Sequence, residues 1–176
     1  CQAIERNPLE QAYWINLAKA HQHLGEKKAF EKDLENAILV YPTSYQGRWV
    51  TGNLFLQEGT LDKALPHFSY ILKHYPEQSS LVYDVLSKVV DDPDFIFEKV
   101  VREEPSFLTR YLSYLYEMGD SESARKVWKK KISMGYRTER SEALRHIEFL
   151  ISQGEFNEAY EIWNARLREE RLPVSA

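Results

Sequence analysis

Residues Pro42 to Pro76 read PTSYQGRWVTGNLFLQEGTLDKALPHFSYILKHYP, and this stretch decides the fold. It holds two aromatic-rich runs separated at Gly59 and bounded by a proline on each side. The two prolines lie 34 residues apart, and the same step back reaches Pro8. Gly25 and Gly59 keep that spacing, as do Tyr41 and Tyr75, each directly ahead of a closing proline. A proline, a turn glycine and a tyrosine recurring together at this period mark an array of helix–turn–helix units.

Outward from this stretch, the preceding unit covers about residues 11–44. Trp14, Leu17, Ala18 and His21 fall at i, i+3, i+4 and i+7, the spacing of one buried helical stripe. Gly25 follows Leu24, where glycine can take the left-handed conformation that ends a helix. Phe30, Leu34, Ala37 and Ile38 repeat the stripe on a second helix, and Pro42 stops it because proline cannot continue the ladder. In the next unit, residues 45–78, Gly52 takes the place of Ala18, where two helices approach closely. Ala64 and Phe68 supply the small and large partners, and Pro66 is placed in the first turns of their helix, where a missing N–H is tolerated.

The third unit is contracted. Leu81, Val82, Val85, Leu86 and Val89 predict an amphipathic helix, followed by an Asp91-Asp92-Pro93-Asp94 turn and a short helix from Phe95 to about Glu103. Pro105 ends it 29 residues after Pro76, so the stack is expected to bend there. Beyond it the period is 35, with Gly119 and Gly154, Ala124 and Ala159, and Trp128 and Trp163 each in step. Helices are predicted over roughly 106–118, 121–134, 139–152 and 155–170. Residues 1–172 are thus expected to form one all-α solenoid of about five helix pairs, with 173–176 a linker. Cys1 to Pro8 read as the last turn of a preceding repeat, and no capping helix follows the last pair, so the chain is expected to be part of a longer protein.

Trp14, Leu17, Ala18 and Pro42, then Gly52, Ala64, Phe68 and Pro76, resemble the tetratricopeptide repeat signature over residues 8–78, and residues 79–170 resemble it more loosely. Phe30 stands where the family has a small residue, and Arg48 where it commonly has tryptophan. The resemblance implies a right-handed superhelix whose first helices line a concave channel for an extended peptide or partner protein. By register, it places Lys19, Trp49, Asn53, Leu56, Tyr83, Ser87 and Tyr116 in that channel. Ile15, His23, Gln57 and Val90 accompany them, with Thr109 and Ser113, then Leu144, Glu148 and Ser152, from the looser repeats. Trp49 and Tyr83 either anchor a ligand or tuck between helices, and Asn53 can hold a peptide backbone. Chaperone-tail clamps of this family need basic residues where this chain has Ile15, Lys19, Val50, Ser80 and Asp84, which weighs against that specialisation.

Two regular repeats followed by a contracted one with Tyr83-Asp84-Val85-Leu86 are also similar to bacterial envelope proteins associated with exopolysaccharide or O-antigen assembly. That similarity implies a scaffold within such a system. The 35-residue spacing is shared with pentatricopeptide proteins, which implies RNA binding as the alternative function.

The chain has 176 residues, 43% of them hydrophobic and 28% charged, enough for a packed core. Its net charge of −4 weighs against nucleic acid as the main partner. Cys1 is the one cysteine and provides no internal disulfide, and no apolar run reaches spanning length.

No residues are laid out for catalysis, a metal or a cofactor, and none is expected. His21 and His23 point to different sides of a helix, while His67 and His74 are two turns apart. The aspartates at 91, 92 and 94 lack the glycine and distal glutamate of a calcium loop and read as turn and capping residues. Arg125, Lys126, Lys129, Lys130 and Lys131 form the one basic cluster, read as a solvated outer face with Glu122 paired to Lys126.

Overall fold

The computed structural model describes residues 7–90, 92–101, 104–136 and 138–171. The proposed turn at residues 1–6, Asp91 and the linker at 173–176 lie outside the described residues. The fold is all-α, with no strand among the described residues. The chain divides into two compact units, Cys1–Val89 and Val90–Ala176.

The first unit begins with α1 (Gln11–Leu24) packed on α2 (Lys27–Val40), then α3 (Tyr45–Gln57) on α4 (Leu61–His74). A 3-10 turn, Pro76–Gln78, leads into α5 (Ser79–Val89). Gly25 and Gly59 end their helices with φ of 73° and 67°, the left-handed conformation in which a Cβ would be strained. Gln11 explains how successive pairs join. Its amide donates to the Ala37 carbonyl at 2.8 Å and the Tyr41 carbonyl at 3.3 Å, satisfying acceptors at the end of α2. Gly47 of α3 lies over that amide, where a Cβ would meet Gln11 Nε2 at 2.3 Å.

Ala18, Phe30, Leu34, Ala37, Ala64, Phe68, Ile71 and Leu72 are fully buried. Gly52 sits under Phe68, whose ring would lie 3.0 Å from an added Cβ, so this is a close helix approach. Pro66 is not in the first turn. It is the sixth residue of α4, which begins at Leu61, and the bond it omits is the one to the exposed Asp62.

The buried face of α5 differs from the sequence expectation. Leu81 and Val89 are exposed, while Ser79, Val82, Tyr83 and Leu86 are buried at i, i+3, i+4 and i+7. The helix is thus turned by about one residue. That rotation carries the Tyr83 ring inward with the apolar side chains.

The second unit opens with a short α6 (Pro93–Ile96), whose N-cap Asp92 accepts from the Asp94 N–H at 2.9 Å, as expected of a capping aspartate. It runs on into a π-helical turn, Phe97–Val101. Then α7 (Pro105–Met118) packs on α8 (Ser121–Ser133), and α9 (Arg140–Ser152) on α10 (Phe156–Arg171). The four predicted helices are present with ends differing by a residue. Phe97, Val100, Phe107, Leu108, Tyr111, Val127 and Leu150 form the interior. Phe156, Tyr160 and Trp163 of α10 are exposed.

Candidate functional site

In the first unit the expected channel residues separate by burial. Lys19 is exposed, while Trp49, Asn53, Leu56 and Ser87 are half-buried. Tyr83 has 0% exposure and Ile15 is also buried, so neither can meet a ligand, and the expectation that they line a channel is corrected. Trp49 is held in an aromatic stack, 6.2 Å from the Tyr45 ring and edge-on to Phe68 at 5.9 Å. Asn53 turns one of its two amide N–H groups to its own helix, with Nδ2 donating to the Trp49 carbonyl at 2.8 Å. Trp49 is therefore a packing residue that keeps one edge outside.

In the second unit three of the positions named from the sequence lie along one hollow. Thr109, Ser113 and Tyr116 line a cleft of about 230 Å³ between α7 and α9, with Ser141, Glu142 and Arg145 opposite. Its floor is a polar network. Glu142 pairs with Lys131 of α8, which is only 3% exposed, and accepts from Thr109 Oγ1 at 3.0 Å. Tyr116 and His146 share a hydrogen bond of 2.9 Å between the phenol oxygen and Nδ1. His146 is stacked on Trp128 at 4.2 Å, and its Nε2 has no hydrogen-bond partner among the described residues.

Burial pushes His146 down to about 4, with the Lys131 charge adding to the effect and Glu158 opposing it, so the imidazole is neutral at neutral pH. Burial, then the Glu142 charge, raises the Tyr116 phenol above its usual range. Both ends of that hydrogen bond are thus uncharged.

At the mouth, Arg145 donates from NH1 to Ser113 Oγ at 2.9 Å, and its guanidinium lies 5.8 Å from the centre of the Tyr116 ring. The Thr109 and Ser113 hydroxyls, the edge of the Tyr116 phenol and the Arg145 guanidinium are the polar groups that line the cleft. Leu144, Glu148 and Ser152, the positions expected from α9, do not line this cleft; Leu144 faces a separate hollow with Trp163. The spacing of Ser141 and Arg145 at i, i+4 was the signal available in the sequence for the face of α9 that lines this cleft.

The basic cluster is internally neutralised. Arg125 reaches Glu155 at 3.4 Å and Glu158 at 3.5 Å, and Lys129 reaches Glu158 at 3.0 Å. Lys126 pairs with Glu122 at 2.8 Å, and Lys130 lies 3.1 Å from Asp94 and 3.3 Å from Glu98. The face expected to be solvated is therefore partly enclosed, most of all at Lys131. His21 meets the buried Asp33 through Nδ1 at 2.6 Å. No group of three or more ligating side chains suited to a metal occurs among the described residues. No helix among them is long and apolar enough to cross a membrane.

No family model matches the chain, and no curated protein matches it.

Proposed function

We propose that this chain is a protein-interaction module of tetratricopeptide type, which holds an extended peptide against the first-helix face of its second unit. The observation that carries the reading is the cleft between α7 and α9, where Thr109, Ser113 and Tyr116 stand at the register expected to face a ligand. Its walls offer hydroxyls and one guanidinium on rigid helices, and such groups satisfy a peptide backbone without demanding one sequence. The charges of the floor, Lys131 and Glu142, are already paired, so a bound peptide leaves no buried charge uncompensated. A scaffold role in a bacterial envelope polysaccharide system fits a non-catalytic module of this kind and rests on the sequence resemblance alone. The pairing of Arg125 through Lys131 with carboxylates, among the described residues, leaves RNA binding without a basic stripe to work through, and that alternative is not taken further.

Selection of a random 12-residue peptide library on the immobilised chain tests this. Ser113→Trp fills the cleft and Arg145→Glu reverses the charge at its mouth. Each is expected to weaken the recovered peptides about thirtyfold, the effect of losing one central contact. Undiminished binding to both variants, with helical circular dichroism intact, would remove the cleft as the binding site.

A further inference from the structure

The cleft between α7 and α9 carries one charge that the fold leaves uncompensated. Two cations bear on it, and they differ. Lys131, in the floor, is 3% exposed and pairs with Glu142. Arg145, in the wall, is exposed and meets no carboxylate among the described residues; its contacts are the Ser113 hydroxyl at 2.9 Å and the Tyr116 ring at 5.8 Å. Glu142 is the carboxylate in the lining, and Lys131 already neutralises it. Glu148, also on α9, is exposed and lies outside the lining. Elsewhere in the unit, Arg125, Lys126, Lys129 and Lys130 each have a carboxylate within 3.5 Å. The cleft and its floor therefore carry one net positive charge, held at Arg145.

Hydrogen-bonding capacity points the same way. Thr109 Oγ1 gives its proton to Glu142 at 3.0 Å, and Ser113 Oγ gives its own to the Thr109 carbonyl at 3.0 Å. Both hydroxyls are left with acceptor capacity only. The Tyr116 phenol is engaged with His146. Donors remain on α9. Arg145 turns NH1 to Ser113, and a guanidinium has five N–H groups to give. The hydroxyl of Ser141, one turn earlier on the same helix face, has no partner among the described residues. The bond to Ser113 and the ring beneath hold the guanidinium in place, so little freedom is lost when it binds.

We infer that the cleft selects peptides with an acidic residue, whose side-chain carboxylate is taken by Arg145 with Ser141 beside it. The inference rests on the reading of this cleft as a peptide site and adds the partner's chemistry to it. A carboxylate is planar, negative and acceptor-only, and it matches a guanidinium through two parallel hydrogen bonds. A carboxamide of the same shape brings one acceptor and no charge. A lysine or arginine at that place is repelled, so the charge acts chiefly on which peptides are chosen.

The probes are two 12-residue peptide libraries, random except for the central residue, which is glutamate in one and glutamine in the other. Each is selected against the whole 176-residue chain, and the strongest glutamate peptide is then titrated by calorimetry beside its Glu→Gln form. The glutamate form is expected to bind about fivefold more tightly, the effect of one exposed ion pair. In Arg145→Gln, which keeps a donor for Ser113, the two forms should bind alike. Ser113→Trp should abolish recovery from both libraries. If neither library is recovered, or Ser113→Trp with native circular dichroism leaves recovery unchanged, the peptide reading of the cleft falls and this inference with it. If peptides bind through the cleft but the glutamate and glutamine forms bind equally, this inference alone is overturned. The same holds if the glutamate advantage persists in Arg145→Gln.

Discussion

The two units follow nearly the same repeat yet differ in what packs around α3 in the first and around α9 in the second. In the first, aromatic rings do it: Tyr45 stacks on Trp49, Trp49 meets Phe68 edge-on, and Phe30 meets Phe55 edge-on at 5.8 Å. In the second, a buried ion pair and a neutral imidazole do it, through Lys131, Glu142 and His146. In the first unit the rings of Trp49 and Tyr83 stand at positions that the resemblance assigned to the channel. In the second unit the ion pair and the Tyr116–His146 hydrogen bond lie beneath the Thr109 and Ser113 hydroxyls, and His146 Nε2 has no partner among the described residues.

The largest expected effect separates the two fillings directly. Lys131→Met leaves the Glu142 carboxylate without its cation and should cost the second unit about 3–5 kcal/mol. Lys131→Met with Glu142→Leu should recover most of that loss, since an apolar pair of similar size avoids desolvation altogether. Urea midpoints followed at amide resonances of each unit would show the change confined to the second.

Acidification tests one histidine in each unit. His67 and His146 are both held at about 4, below the ordinary 6.5, because burial disfavours their charged forms. The unfolded chain therefore takes up protons first as pH falls. The stabilisation is complete above about pH 6.5 and is lost progressively towards pH 4, by up to about 3 kcal/mol per histidine. In His146→Phe the second unit should lose this dependence while the first retains it, measured as stability against pH.

A smaller effect is expected from Gly52→Leu. Overpacking against Phe68 should destabilise the first unit by about 1–3 kcal/mol and leave the second unchanged. An unaltered melting transition would show that the helices can separate there at no cost.

The smallest effects should be alike. Ser44 Oγ accepts from the Gly47 N–H at 2.9 Å, and Asp120 accepts from the Ser123 N–H at 3.0 Å, each capping a helix start. Ser44→Ala and Asp120→Ala should each cost about 1 kcal/mol in chemical denaturation. Equal losses would confine the contrast between units to their interiors.

The helices were legible because their ends are marked by backbone chemistry that side-chain context cannot override: Gly25, Gly59, Gly119 and Gly154 all have positive φ. Helix rotation was less legible. Tyr83 reads equally well as a buried or a ligand-facing residue, since tyrosine suits both, and only the packing of Val82 and Leu86 turns it inward. On α9 the apolar Leu144 suggested one face, while Ser141 and Arg145 form the actual cleft wall. Lys131 was the least legible residue of all. Within a run of three lysines it looks like solvated surface, and its burial depends on Glu142, on another helix.

The stacking of His146 on Trp128 has an optical consequence. A protonated imidazole in contact with an indole quenches its emission, whereas a neutral one does so weakly. Trp128 should therefore fluoresce undimmed through the range where an exposed histidine would already be charged, and darken only towards pH 4. The protein carries its own lamp beside the imidazole, and a pH scan of that emission reports when the floor of the cleft takes up a proton.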